Sequence, residues 1–407
     1  MSADDDVQVT VVVVTWNGAH LLADCLDGLR EQHLPHRVLV VDNASTDGTL
    51  QLLASDYPEV EVLCSDRNTG FAGGATLGLR QVMSPFAAVL NNDARPDPAW
   101  LGELVAAFDA PDVAAVTSKV LLQPRFTPVL VGLRAGPPLT RASVAAVLLD
   151  DEDVTSRTIA EPHGSGLSLL VPTPATGPIS VSVRLRPGGS GIVVGGVDGP
   201  QSAPAEHEAR VDLPASAQRV DVLNSTGGML TASGHGADRG YLEVDHGQYD
   251  EQPEVFAVCG AAAAFRTEVG RELGWFDPWL FAYYEDLDLS WRLRAKGFTI
   301  RYAPRAVVRH RHAATSSVGS EFFVFHNVRN RLVVLTRNAG WLATARILLR
   351  RAGSPPMGPA MLAGPGGPAP KVLGITNLHA KVRAVAAVAR VLPRELTTRV
   401  RPRELKG

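Results

Sequence analysis

The sequence predicts an α/β protein: a mostly parallel sheet flanked by helices, interrupted by an inserted all-β module and followed by a helical C-terminal tail. Three observations predict it. Over residues 1–122, apolar runs of strand length alternate with segments of helical apolar spacing, the pattern of βαβ units. Polar residues gather where those strands end, the place where ligands of open parallel sheets sit: Thr15 and Asn17, Asp42 and Asn43, Asn91 to Asp93. Over residues 123–219, short apolar runs are instead separated by Pro/Gly-rich turns, which reads as a small β-sandwich.

The elements follow in order. Val7 to Val14 is a continuous apolar run and predicts a buried strand. Leu21, Leu22, Cys25, Leu26 and Leu29 recur at helical spacing. Arg37 to Val41 predicts a second strand ending at Asp42, and a short helix follows Asp47 and Gly48. Val60 to Cys64 predicts a third strand, with Cys64, like Cys25, expected in the core. Gly70 to Gly74 opens a helix running to Met83, and Ala87 to Leu90 predicts a fourth strand. A helix over Asp97 to Phe108 and a strand over Val113 to Thr117 complete this part. Within the β-rich stretch, Leu167 to Val171, Ile179 to Leu185 and Gly191 to Val194 are the clearest strands. Within residues 220–340 the helical and βα pattern returns after about Val255. Residues 341–407 hold a Gly/Pro linker, Gly353 to Pro370, and a basic tail from Lys371 with an apolar helix-like stretch, Val382 to Leu392.

Composition narrows the function. The 407 residues, 45% hydrophobic and 20% charged, suffice for one large core or two ordinary ones. A net charge of −3 excludes a generally basic nucleic-acid binder, so no nucleic-acid partner is expected. Three scattered cysteines (Cys25, Cys64, Cys259) form no disulfide framework or zinc cluster and predict a reducing compartment. The acidic start, Met1 to Asp6, is unlike a signal peptide, and no stretch approaches the ~18 apolar residues of a membrane span. A cytoplasmic location is expected, with the basic tail able to lie on the inner face of the plasma membrane.

Five constellations carry chemistry. Thr15-Trp16-Asn17-Gly18 and Asp42-Asn43-Ala44-Ser45-Thr46-Asp47 follow the first two strands. A carboxylate there can accept from a nucleobase imide or a ribose hydroxyl, or simply form a turn. Asn68-Thr69-Gly70-Phe71-Ala72-Gly73-Gly74 opens a helix whose N-terminus favours an anion and whose glycines admit close approach. Asn91-Asn92-Asp93 follows the fourth strand, where Asp93 could hold Mg²⁺ or Mn²⁺ bridging a diphosphate. Glu285, Asp286 and Asp288 put three carboxylates in four residues among aromatics, in a segment that Leu289 and Leu293 mark as buried. A carboxyl held there has a raised pKa and can act as a general base, or the acids complement a helix dipole. Arg309-His310-Arg311-His312 brings two imidazoles to one side of an extended segment, and either can complete a metal site.

In this order the segments resemble the family 2 glycosyltransferases of GT-A fold, over Val9 to Val120 and Val220 to Arg337. Within the family the chain looks most like bacterial rhamnosyltransferases and galactofuranosyltransferases of cell-wall polysaccharide synthesis, and Arg329-Asn330-Arg331-Leu332 supports that subgroup. The resemblance implies that Thr15, Asn17, Asp42 and Asn43 hold the nucleoside. It implies that Asn68, Gly70, Phe71 and Gly74 lie beside the donor's ribose and diphosphate. Asp93 matches the last acid of the metal-binding Asp-x-Asp motif, with Asn91 in place of the first and Asn92 between. His310 or His312 matches the later metal ligand. Asp286 matches the general base, with Glu285 beside it. The implied cofactor is Mn²⁺ or Mg²⁺. The implied partners are a UDP- or dTDP-linked sugar and a glycan or polyprenyl-linked acceptor. The implied reaction is one in-line displacement with inversion. The β-rich stretch departs from the family, whose ordinary members run from a segment like Lys119-Val120-Leu121 to one like Ser225-Thr226-Gly227-Gly228. It looks like an insertion in a loop, serving glycan or partner binding or acting as a spacer.

Two other readings compete. A sugar nucleotidyltransferase would carry a glycine-rich loop with a basic residue after the first strand, and Trp16-Asn17-Gly18-Ala19-His20 lacks it. A non-catalytic glycan-binding protein would keep the fold without turnover. Asn91 favours it, while Asp93, Asp286 and the histidine pair oppose it.

Overall fold

The computed structural model describes residues 7–174, 176–187, 190–197, 201–311, 320–350 and 378–397. The chain opens with β1 (Val9–Thr15), α1 (Ala19–Arg30), β2 (His36–Asp42), α2 (Thr49–Asp56) and β3 (Glu61–Cys64). There follow α3 (Gly70–Leu79), β4 (Phe86–Asn91), β5 (Ala94–Pro96), α4 (Trp100–Ala106) and β6 (Val113–Leu122). Eight strands come next: β7 (Phe126–Ala135), β8 (Val144–Leu149), β9 (Glu152–Asp153), β10 (Ile159–His163), β11 (Gly166–Pro172), β12 (Ile179–Leu185), β13 (Ser190–Gly196) and β14 (Glu208–Leu213). The chain then forms β15 (Leu223–Ser225), β16 (Gly228–Leu230), β17 (Gly236–Asp238), β18 (Ala262–Arg266), α5 (Thr267–Glu272), α6 (Glu285–Ala295) and β19 (Thr299–His310). Three helices end it, α7 (Glu321–Asn338), α8 (Trp341–Arg350) and α9 (Leu378–Thr397).

The main sheet runs β3-β2-β1-β4-β18-β6-β19-β5, with β15 added beside β6. Its left half is parallel, and β18 lies antiparallel between β4 and β6. The run of valines in β1 serves both faces, because successive side chains of a strand point opposite ways. Val9, Val11 and Val13 pack with Leu22, Leu26 and Leu29 of α1 and Trp100 of α4. Val12 packs on the other face with Ala72, Ala75 and Leu79 of α3. β1 connects outward to β2, while β4 lies on its other side, so the strand order reverses between β1 and β4. A crevice opens at that switch point, at the C-terminal ends of the strands.

Two expectations are corrected. Cys64 is exposed, because β3 is the edge strand and three of its four residues face solvent. The helices expected over 70–83 and 97–108 end at Leu79 and span only Trp100–Ala106. Pro98 disfavours helix at Asp97, which instead accepts from Trp100 N through its backbone carbonyl.

Residues 126–213 form two four-stranded antiparallel sheets, β10-β11-β7-β13 and β14-β12-β8-β9. They face each other across one apolar cluster that includes Val129, Val181, Val183 and Val211. Alternation builds it: in β14, Ala209, Val211 and Leu213 point inward while Glu208, Arg210 and Asp212 point out. The chain enters and leaves this pair of sheets at one spot. Leu122 N donates to Val222 O at 2.8 Å, Phe126 and Val220 exchange backbone bonds, and β15 pairs with β6.

At the C-terminal end α9 packs along α7. Ala384 is fully buried, Val388 joins Leu287, Val333 and Val334, and Arg383 pairs with Glu321 at 3.0 Å. The linker Gly353 to Pro370 lies outside the described residues.

Candidate active site

A cleft of about 820 Å³ lies over the switch point. One wall comes from the loops after β1, β2, β3 and β4 and contains Trp16, Asn43, Asn68, Gly70, Phe71 and Asn91 to Asp93. The other contains Met229 and Asp238 of the β16–β17 hairpin, Tyr283 to Asp286, and Phe322 of α7.

The first wall is built by asparagines. Asn43 is buried, and its Oδ1 accepts from Thr69 N at 2.9 Å while its Nδ2 donates to Asn68 Oδ1 and to Gly70 O. Asn68 Oδ1 accepts from Gly70 N at 2.8 Å. These bonds fix the turn that opens α3. Gly70 has φ +70°, and a Cβ there would collide with the Phe281 carbonyl, so this position requires glycine. Thr15, Asn17, Asp42 and Gly74 stand behind the wall rather than on it. Thr15 Oγ1 accepts from Asn92 Nδ2 at 3.0 Å. Asn17 Oδ1 accepts from Thr46 N at 2.7 Å and ties two loops together. A Cβ on Gly74 would lie 2.7 Å from Val14, so this glycine lets α3 approach β1. Asp42 is buried at the end of β2. Its Oδ2 accepts from Ser45 N at 3.1 Å, and its Oδ1 is buried without a partner.

Asp93 meets His310 at the floor. Antiparallel pairing of β5 with β19 sets Ala94 opposite His310 and so brings Asp93 beside the imidazole. His310 Nε2 lies 3.0 Å from Asp93 Oδ1, and its Nδ1 lies 2.7 Å from Asn224 Oδ1. The Asn224 amide oxygen can accept the Nδ1 proton, which leaves Nε2 as the ring nitrogen able to join Asp93 in holding a cation. Two such donors 3.0 Å apart match the edge of an octahedron with metal–ligand bonds of ~2.1 Å. Among the described residues no third His, Cys, Asp or Glu completes a set. The pair therefore fits a small hard cation that takes its other ligands from a substrate's phosphates or from water. Asn91 Nδ2 lies 3.4 Å from His310 Nε2 and supplies no charge. His312 lies outside the described residues.

The acids at the start of α6 divide. Asp286 and Glu285 face the cleft, and Asp288 turns away. Asp286 Oδ2 accepts from Gly260 N at 2.9 Å, and Oδ1 accepts from Leu287 N at 2.7 Å. Burial pushes its carboxyl above the ordinary range. Glu285 is pushed up to about 8 by burial and by the Asp286 charge, and its Oε2 has no partner. The two backbone N–H groups on Asp286 favour its ionised form, so Asp286 carries the negative charge and Glu285 keeps its proton at neutral pH. Burial would also raise Asp288, but Arg292 at 2.9 Å and Arg337 at 3.1 Å hold it below the usual range. It is a structural ion pair.

Two residues of this cleft lie outside the sequence reading. Asn224 orients His310, and Asp238 adds a third acid. Burial raises the Asp238 carboxyl to about 6 against the opposing Ser225 hydroxyl, with the Asp286 charge adding to the rise. Both lie on very short strands after the β-rich stretch, where neither periodicity nor a motif marks them.

Comparison with known proteins now decides the family. The profile of glycosyl transferase family 2 matches residues 10–127, and that of glycosyl transferase family group 2 matches residues 226–332. This chain belongs to glycosyltransferase family 2. Its nine-stranded sheet draws strands from both matched segments. It is 30% identical over 118 residues to glycosyltransferase AglE of Haloferax volcanii, a match covering 28% of this chain and 39% of that protein. It is 31% identical to the succinoglycan biosynthesis protein ExoO of Rhizobium meliloti over 25% of this chain and 30% of that protein, so it spans well under half of these curated relatives. A longer match, 24% identical over 336 residues, covers 81% of this chain and 85% of N-acetylglucosaminyl-diphospho-decaprenol L-rhamnosyltransferase of Mycobacterium tuberculosis. Among solved structures, GalNAc-T7 with UDP, GalNAc and Mn²⁺ aligns with a TM-score of 0.48 at 14% identity, over 82% of this chain and 48% of that one.

Proposed function

We propose that this chain is an inverting glycosyltransferase, moving a sugar such as rhamnose or galactofuranose from a UDP- or dTDP-linked donor to a glycan or polyprenyl-linked acceptor of the cell envelope. One observation carries the reading: the acid pair and the Asp93–His310 pair open into one cleft and are tied through two successive residues. Gly260 N donates to Asp286, and the neighbouring Ala261 accepts from Asn91 N at 2.9 Å.

In this reading the nucleoside lies against the loops after β1 and β2, and Asp42, buried behind them, holds the second loop through Ser45 N. The α3 N-terminus and the Asn68–Gly70 turn face the ribose and diphosphate. Asp93 and His310 hold the cation, which when bound neutralises charge on the departing diphosphate. Asp286 takes the proton of the acceptor hydroxyl as that oxygen bonds to the anomeric carbon. The bond from that carbon to the phosphate oxygen breaks on the opposite side, so configuration inverts. The protonated Glu285 beside it keeps a second negative charge out of the acceptor's path. Phe322 and Met229, both 42% exposed at the cleft, offer apolar contact to the acceptor.

Residues 123–219 are read as a separate unit inserted at the β6–β15 turn and serving the acceptor side. Removing them should spare nucleotide binding and weaken acceptor use. No described helix is long and apolar enough to cross a membrane. The basic α9, with Val382 and Val385 exposed, suits the anionic inner face of the plasma membrane.

Isothermal calorimetry with UDP, dTDP and GDP, each with Mn²⁺ and with EDTA, tests the proposal. Binding of one nucleotide that needs Mn²⁺, vanishes in Asp93→Ala and survives in Asp286→Asn is the expected result. Failure of every nucleotide to bind would overturn it.

A further inference from the structure

The segment that delivers Asp286 is strained. Phe281, Tyr283 and Tyr284 have φ of 65°, 70° and 72°, a left-handed region that bulky side chains rarely adopt. Phe281, at ψ −63°, forms a γ-turn of positive φ closed by Ala282 N to Leu280 O at 2.8 Å. Such residues persist only where their surroundings over-determine them. These residues lead directly into α6, which begins at Glu285 and carries Asp286.

The restraint comes from α7. Asn330 is fully buried, and its Nδ2, whose two hydrogens are shared among three acceptors, lies 2.8 Å from Leu280 O, 2.8 Å from Ala282 O and 2.7 Å from Tyr283 O. Arg329 donates from Nη2 to Leu280 O at 2.7 Å and to Trp279 O at 3.1 Å. Its Nε donates to Asn330 Oδ1 at 2.8 Å, which fixes the amide's orientation. The guanidinium also lies 4.3 Å from the centre of the Trp279 ring. Burial lowers Arg329 to about 10, still charged at neutral pH, and its positive charge is spent on backbone carbonyls. The loop reaches the donor wall as well: Phe281 O accepts from Ala72 N at 3.0 Å, and the Phe281 backbone requires glycine at position 70.

We propose that Asn330 and Arg329 are positioning residues for the base: they clamp the aromatic loop 279–284 and so set where Asp286 points and how dry it stays. The catalytic importance of this placement rests on the transferase reading above; the clamp itself does not. Neither residue lines the cleft. Both act through the loop, which also links the donor turn at Gly70 to the base.

The test reads Asp286 directly and needs no substrate. Protein labelled with ¹³C at the aspartate carboxyls is titrated by NMR, with Asp286→Asn assigning the resonance. The groups facing Asp286 are Glu285 on its own helix, Asp238 on β17, Cys259 ahead of β18, and Tyr284 with Arg331 behind it. All remain in the variants. In Asn330→Ala the loop relaxes, water reaches Asp286, and its acid constant rises about tenfold, toward that of an ordinary aspartate. Arg329→Lys, which keeps one cation but loses the fork, shifts it the same way by less and decides the matter if Asn330→Ala does not fold. Transfer assays should show kcat falling with KM for the donor nearly unchanged. A folded variant in which Asp286 titrates as in the parent protein would overturn the clamp, and this result would stand whether or not the chain transfers sugar.

Discussion

The β-rich sheets and the cleft treat charge in opposite ways. On the outer face of β12 and β14, Arg184 and Glu208 pair at 2.7 Å with both side chains well exposed. Arg157 with Glu152 and Arg210 with Asp151 repeat the arrangement. Such pairs keep most of their hydration, so little depends on any one of them. In the cleft, Glu285, Asp286 and Asp238 crowd one another, and burial pushes each upward. A fold accepts that arrangement only at a cost, which points to chemistry. Asp288 sharpens the contrast. It is two residues from Asp286 on the same helix and more deeply buried, yet Arg292 and Arg337 make it a strut.

That contrast can be broken by substitution. The largest effect is expected from Asp286→Asn, which should lower turnover at least ~10³-fold while nucleotide binding persists; followed as release of the nucleoside diphosphate, undiminished turnover would remove its role as base. Next comes Asp288→Asn. It leaves Arg292 and Arg337 facing a neutral amide and should cost about 3 kcal/mol in urea unfolding without touching nucleotide affinity. Equal losses of activity and stability in both variants would erase the distinction between them.

Glu285→Gln is expected to act through pH. The Glu285 carboxyl is raised from 4.5 in the unfolded chain to about 8 in the fold, so the folded state prefers the proton. Its contribution to stability is complete below pH 4.5 and is lost as pH rises through about 8. The variant should raise Tm above pH 7 and leave it unchanged near pH 4. A uniform shift at both pH values would mean that the proton is not involved. The smallest effect belongs to Arg184→Ala in the β-rich sheets, at most ~1 kcal/mol and smaller still in high salt.

Much of the fold and part of the cleft were legible in the sequence because they depend on local pattern. The valine run of β1 and the helical spacing of α1 are properties of neighbouring residues. The strand-end positions of Asn91 to Asp93 follow once the strands are found. The short apolar runs between Pro/Gly-rich turns, Ile179 to Leu185 among them, likewise announced paired sheets. Cys64 was misplaced because strand pattern does not say which strand is at the edge. Asp238 and Asn224 went unread because their strands are three residues long and their partners lie dozens of positions away.

By itself, the sequence determined that a parallel sheet with polar strand ends would form, and which motifs those ends would carry. Hydrophobic periodicity and turn chemistry are short-range and survive in one dimension. Only the tertiary structure decided which acid of Glu285, Asp286 and Asp288 is paired and which is left to the cleft. It also set Asn224 behind His310 and closed Asn330 on three carbonyls of a strained loop. Those outcomes depend on desolvation and on contacts between residues distant in sequence, and no local pattern encodes either.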